Sequence, residues 1–262
     1  MDLGGGSRDL ISGLPDPLIS HILSFLTTKE AASMSVLSSK WRYLFAFVTN
    51  LDFDASVYLT PREEIKIPVR IDGIMEMITQ RKSSVPTSFM DFVDRVLALQ
   101  DNSPVHKFSL KIRDGDDPVD PIRIFRWILN VLERGVADLK LGLDLERDLT
   151  QGIESDSLLP SEIFLSETLV RLKLSGCGPN IDVEEACLPK LKTLCIEGVH
   201  FEKHGVGLDK LLSGCHELED LVLDDISWFI WDFASVSVPT LKRLKFSWQE
   251  LDKNPKSVVG HS

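Results

Sequence analysis

The chain reads as α/β: a small helical module followed by a solenoid of parallel strands backed by helices and loops. Three observations predict this. Residues 10–53 hold three short amphipathic segments. The rest of the chain repeats a triplet of large apolar residues at i, i+3 and i+5. Several segments between the triplets have helical periodicity.

The totals set the frame. A length of 262 residues with 43% hydrophobic content supports a sizeable core and argues against general disorder. No apolar run approaches the ~18–20 residues that span a bilayer, and the start, MDLGGGSRDL, has no apolar signal core. The reading is a chain of the cytoplasm or nucleus with reduced thiols, and no membrane partner. Cys177, Cys187, Cys195 and Cys215 include no C-x-x-C pair, so no metal site is assigned. Net charge is −11, all of it after residue 50. An acidic body repels polyphosphate, so nucleic acid is not an expected partner.

Residues 1–9, with Gly4-Gly5-Gly6, read as a flexible tail. In the helical module, residues 10–47, Leu14-Pro15-Asp16 opens the first helix. Leu18, Ile19, Ile22, Leu23 and Leu26 then share one of its faces. Thr27 or Thr28 caps a second helix, with Glu30 near its positive end. Ala31, Ala32, Ser35 and Val36 give that helix a small-residue face. Ser38 or Ser39 begins a third segment with Trp41, Leu44, Phe45 and Val48. About 40 residues lie near the lower limit for independent folding without disulfide or metal. Surplus apolar surface on so small a unit predicts a partner; the plainer alternative is a self-contained three-helix core.

These residues resemble the F-box. The matching elements are Leu14-Pro15, Ile22-Leu23-Ser24-Phe25-Leu26, Val36-Leu37-Ser38 and Trp41-Arg42, ahead of Leu51-Asp52-Phe53. Departures occur at Ser39, where a basic residue is frequent, and at Phe45, where tryptophan is common. The resemblance implies docking on the Skp adaptor, and through it on a cullin, in a ubiquitin ligase. Leu14, Pro15, Ile19, Ile22, Leu23, Val36, Leu37 and Trp41 would carry that contact through burial of helix faces.

Residues 48–248 carry the repeat. Its triplets are Val105/Phe108/Leu110, Val136/Leu139/Leu141, Leu169/Leu172/Leu174, Leu191/Leu194/Ile196, Leu218/Leu221/Leu223 and Leu241/Leu244/Phe246, with Val48/Leu51/Phe53 as a first member. From Leu172 onward the central anchors fall 22, 27 and 23 residues apart, close to the ~20–29 residues of leucine-rich repeats. Anchors i+3 and i+5 flank one residue, so they share a strand face. Returning segments then stack successive strands in parallel over one continuous core. Residues 88–100, 122–134 and 208–213 read as helices on the convex side, with Gly135 ending the second. The Ser-Gly-Cys sequences at 175–177 and 213–215 read as corners. Cys177 occupies the turn position where such repeats place Asn or Cys; Val199, Ile226 and Gln249 break that rule, so the array is irregular. Leu188-Pro189-Lys190-Leu191-Lys192-Thr193-Leu194 resembles the repeats of plant F-box/leucine-rich-repeat proteins of the FBD type, and Val238-Pro239-Thr240-Leu241 is a variant. The alternative is an ordinary α/β domain with coincidental leucines.

Two stretches fall outside the period. Pro61, Pro68 and Pro86 mark residues 56–86 as a loop insertion, and Asp114-Gly115-Asp116-Asp117 reads as a solvated acidic loop. Residues 249–262 show no further triplet and read as a tail without a clear FBD region.

Non-anchor residues of the strands face the concave side. At i+1, i+2 and i+4 they include eight basic residues, Lys107, Lys140, Arg171, Lys173, Lys192, Lys242, Arg243 and Lys245. Against these stand three acidic ones, Asp138, Glu219 and Asp220. This inverted stripe suggests capture of an acidic or phosphorylated target segment; the alternative is a solvated strand face. Trp228, Phe229, Trp231 and Trp248 read mostly as core or as cover for its open end, with added contact area for a target as the alternative.

No catalytic set stands out. His216-Glu217 lacks the second histidine of H-E-x-x-H, and no G-x-S-x-G elbow occurs. No cofactor is expected. The function these features predict is a non-catalytic substrate adaptor of a ubiquitin ligase. The rivals are a leucine-rich scaffold outside any ligase and, less supported, a small-ligand sensor.

Overall fold

A computed structural model describes residues 13–36, 38–58, 63–71, 74–82, 87–113, 119–144, 159–176, 183–201, 206–228 and 238–248. Leu37, Cys177, Phe229, Trp231, the acidic loop at 114–117 and both tails lie outside them.

The module forms from local signals. Helix α1 (Asp16–Phe25) starts behind Pro15, whose fixed φ suits a helix entry. Helix α2 (Thr28–Met34) is capped by Thr27 in a reciprocal capping box with Glu30. The Glu30 carboxyl is held below its ordinary range by the Thr27 backbone amide and hydroxyl. Helix α3 (Ser39–Phe45) is capped by Ser38, which accepts from the Trp41 amide. Together the three helices bury Ile19, Leu23, Ala31, Trp41, Leu44 and Phe45.

Each triplet then delivers one strand. These are β1 (Asn50–Asp54), β4 (Lys107–Arg113), β5 (Asp138–Asp144), β6 (Arg171–Ser175), β7 (Thr193–Glu197), β9 (Asp220–Trp228) and β10 (Arg243–Trp248). They pair in parallel in chain order, with a two-residue strand β8 (His200–Phe201) beside β9. Register aligns Leu51, Phe108, Leu139, Leu172, Leu194, Leu221 and Leu244 in one row. Phe53, Leu110, Leu141, Leu174, Ile196, Leu223 and Phe246 form the next. Both rows are buried through β9, each side chain removing enough surface to contribute about 1.5–3 kcal/mol. On β10 Leu244 and Phe246 are 54% and 41% exposed.

Helices α4 (Thr87–Gln100), α5 (Pro121–Glu133) and α6 (Val206–Ser213) back the sheet at the predicted positions. Phe53 stacks edgewise on Phe92 of α4. Arg123 of α5 reaches Asp91 and Asp94 of α4, and Trp127 donates to Asp94. A buried polar tie closes the first repeat: Gln100 donates to the Val48 carbonyl at 2.7 Å and accepts from Arg134 at 3.0 Å. Burial lowers the Arg134 pKa.

One expectation needs correction. Residues 56–86 are not simply a loop: they hold a 3-10 turn at Ala55–Tyr58 and an antiparallel hairpin. Its strands are β2 (Glu63–Ile71) and β3 (Ile74–Lys82). The overlooked signal is strict alternation, Ile65, Ile67, Val69 and Ile71, leading to Asp72-Gly73, a favoured hairpin pair. Pro68 sits within a strand that pairs on one side only, where a missing amide is tolerated.

Candidate functional site

Two surfaces stand out, one on the helical module and one on the concave face of the sheet. On the module, burial divides the sequence candidates. Ile19, Leu23 and Trp41 lie inside its core rather than at its surface. They are the large members of the apolar faces, and a three-helix unit uses them first to close on itself. Leu14 and Ile22 are half-buried, Pro15 is exposed, and Val36 is 76% exposed. Leu18 and Phe25 (75%), present in the apolar pattern but not among the contact candidates, are exposed, as are Tyr43 and Phe47, which the sequence reading did not name. Tyr43 and Phe47 stack edge to face at 4.9 Å, as do His21 and Phe25 at 4.7 Å. Their spacing of four and seven residues is ordinary for a helix; what the sequence does not show is which face the core takes.

The module is fastened to the sheet. Thr28, fully buried, accepts from the amide of Asp52 on the free edge of β1 at 2.6 Å. Lys40 bridges Asp16 at 3.1 Å and donates to the Leu14 carbonyl, locking α3 against the start of α1.

The concave face presents three rows in register. The first runs Lys107, Asp138, Arg171, Thr193, Asp220, Arg243. The second runs Ser109, Lys140, Lys173, Cys195, Val222, Lys245. The third runs Asp54, Lys111, Gly142, Ser175, Glu197, Asp224. Between the second and third rows lies a groove of about 780 Å³ crossing β4, β5, β6, β7 and β9.

The structure corrects the reading of an open cationic stripe. Arg171 pairs with Asp138 at 3.3 Å, Lys173 with Glu197 at 2.7 Å and Lys242 with Glu219 at 2.9 Å. Arg243 meets Asp220 through two bonds, and Lys245 meets Asp224. Lys192 acts on Glu219 electrostatically. Of the basic candidates, Lys107, Lys140 and Lys192 have no ion pair within 4 Å among the described residues. The sequence count omitted position i+6, which supplies Glu197 and Asp224 beside Asp54. The face is charge-balanced rather than basic.

Chemically the groove is quiet. Burial and Glu197 push the Cys195 thiol up to about 11, and burial pushes Cys215 up to about 12, so neither is a nucleophile at neutral pH. Among the described residues no cluster of three His, Cys, Asp or Glu gathers as metal ligands. No described helix is long and apolar enough to cross a membrane.

Comparison with known proteins matches both regions of the chain. The F-box domain model matches residues 11–50, and that of "FBD-associated F-box protein At5g56370, LRR repeats" matches residues 124–258. The Arabidopsis thaliana F-box/LRR-repeat protein At4g14103 is 66% identical over 260 residues, 99% of this chain and 60% of that protein. Putative F-box protein At1g58310 is 62% identical over 97% of this chain and 48% of its own length. F-box/LRR-repeat protein At4g14096 is 60% identical over 98% and 48%. The chain therefore spans between about half and three fifths of these relatives. No solved structure matches it. A capped three-helix module pinned to a stack of leucine-spaced parallel strands, with matches covering each part, makes this chain a member of the F-box/LRR-repeat family.

Proposed function

We propose that this chain is a non-catalytic substrate-recognition subunit of a Skp–cullin–F-box ubiquitin ligase. The module docks on the Skp adaptor, and the solenoid holds a target protein. The observation that carries this reading is the division of apolar residues in the module. Its core is complete around Trp41, yet Phe25, Val36, Tyr43 and Phe47 remain outside it, a surface that association with another protein removes from water. The Thr28–Asp52 bond supports the second half of the reading. A target in the groove is then held at a set distance from the docking partner, raising its effective concentration beside a charged conjugating enzyme. Leu14 and Pro15 flank the same module, and both remain docking candidates.

Purified chain is tested against purified Skp adaptor in a pull-down. Wild type binds; Val36→Asp and Phe25→Asp lose binding while retaining wild-type circular dichroism and melting temperature. Retention of binding by both variants moves the contact elsewhere. No binding by a folded wild type favours the scaffold reading, in which the solenoid binds a protein outside any ligase.

A further inference from the structure

The charge left over in the groove specifies what fits it. Lys111 is matched by Asp54 at 3.3 Å, Lys173 by Glu197 at 2.7 Å, and Asp224 by Lys245. Three charges in the lining have no ion-pair partner among the described residues: Lys140 on β5, Asp144 at the end of β5 and Asp225 within β9. Lys140 is half-buried, and its ammonium meets no carboxylate among the described residues. Asp144 and Asp225 are exposed on the opposite rim. The groove therefore has one cationic seat and one anionic rim. A polyphosphate or nucleic acid finds a single free cation facing two carboxylates, and is repelled.

The spacing follows from sheet geometry. Lys140 and Asp144 are four residues apart on one strand, about 13 Å at ~3.3 Å per residue. Asp225 is three strand steps away on β9 and three residues beyond Val222, the residue level with Lys140, so it extends the anionic rim past Asp144. The Lys140–Asp144 path equals about four residues of an extended peptide, and residues i and i+4 of such a peptide face the same side. The floor between the seats is low, because Gly142 and Ser175 stand side by side in the third row.

We propose that the groove binds an extended protein segment carrying an acidic side chain at one position and a basic side chain about four residues away. The acidic group sits on Lys140 and the basic group on the Asp144/Asp225 rim. This rests on the reading that the solenoid recognises a protein target, and replaces a uniformly acidic or phosphorylated ligand with one of mixed sign.

The test is selection of a phage-displayed library of nine randomised residues on the full chain. Selected peptides should pair Asp or Glu with Lys or Arg at a spacing of about four. A synthetic peptide from that pool should lose at least tenfold in affinity for Lys140→Glu and for Asp144→Lys/Asp225→Lys. Gly142→Val provides an independent check. A Cβ at Gly142 stands 3.4 Å from Ser175 Oγ and 3.5 Å from Lys111 Cγ, ordinary contact, so the side chain fills the groove without displacing the strand. That variant should melt like wild type and fail to bind. Enrichment of all-acidic or phosphomimetic sequences, no enrichment at all, or binding indifferent to Lys140→Glu overturns the proposal. Skp binding is read separately: its loss with peptide selection intact defeats the ligase reading alone, and the reverse defeats the groove alone.

Discussion

The Thr28 hydroxyl accepts a hydrogen bond from the Asp52 amide at 2.6 Å, joining the second helix of the module to the outer edge of the first strand. An edge strand exposes unpaired amides that invite pairing with other chains. Here a side chain, buried to 2% exposure, occupies that edge. The neighbouring Thr27 caps the helix, which frees Thr28 for this second task.

Thr28→Val keeps the shape and removes the acceptor, leaving a buried amide orphaned. The expected cost is about 1–3 kcal/mol, read by urea denaturation, with faster hydrogen exchange at Asp52. Unchanged exchange at that amide would show that the bond does not form in solution.

The apolar rows predict a gradient along the solenoid. Leu194 lies in the middle of its row at 0% exposure, and Leu244 ends it at 54%. Leu194→Ala opens a cavity and should cost about 2–5 kcal/mol. Leu244→Ala, at a half-open site, should cost less than about 1 kcal/mol. Equal losses in parallel denaturation curves would mean that Leu244 is covered.

The corner at Gly214 tolerates no side chain. A Cβ there would lie 2.3 Å from the Ala186 carbonyl oxygen and 2.8 Å from its Cβ, and the opposing atoms are mainly backbone. The amide of Leu188 also donates to the Gly214 carbonyl at 3.0 Å, holding the two segments together. Gly214→Ala forces them apart. The expected result is a loss of several kcal/mol, about 3 or more, by the mechanism of overpacking. A melting temperature within a degree of wild type would contradict this close approach.

What was legible in the sequence is what local spacing controls. The triplets located all seven strands of the parallel path, because i+3 and i+5 must share a face, and the helices fell where a 3.6-residue period placed them. What was misread depends on neighbours distant in the chain. Glu197 meets Lys173 across 24 residues, and Asp220 meets Arg243 across 23. Counting charges strand by strand cannot see such pairs, so a balanced face looked basic. The buried Gln100–Arg134 contact spans 34 residues and carried no sequence signal. Trp41 and Ile19 enter as contact residues through the F-box resemblance, and a sequence motif does not say which of its apolar residues the module buries in its own core. The hairpin at 63–82 is legible in its alternation, although Pro61, Pro68 and Pro86 give the stretch the composition of a loop.

The last strand offers a pH test of how the open end is held. With Leu244 and Phe246 partly exposed, β10 gains little from the core. It is clipped to β9 by Lys242–Glu219, Arg243–Asp220 and Lys245–Asp224, and Ser247 donates to Asp224. Hydrogen bonds from Lys242, Arg243 and Lys245 hold the pKa values of Glu219, Asp220 and Asp224 respectively below the ordinary carboxylate range. A carboxylate whose folded pKa is lowered binds protons more readily when released. Its stabilising contribution is therefore complete above the unfolded value of about 4 and is lost as pH falls through the lowered folded value. These groups face solvent, so ~1 M salt at neutral pH should weaken the clip as well. Hydrogen exchange, corrected for intrinsic rate, should show β10 amides losing protection below about pH 4 while β7, locked by Leu194 and Ile196, keeps its own. Lys245→Met should lower β10 protection at neutral pH and flatten its acid response. Parallel loss in β7 and β10 would mean that acid acts on the whole solenoid and that the ion pairs do not hold its end.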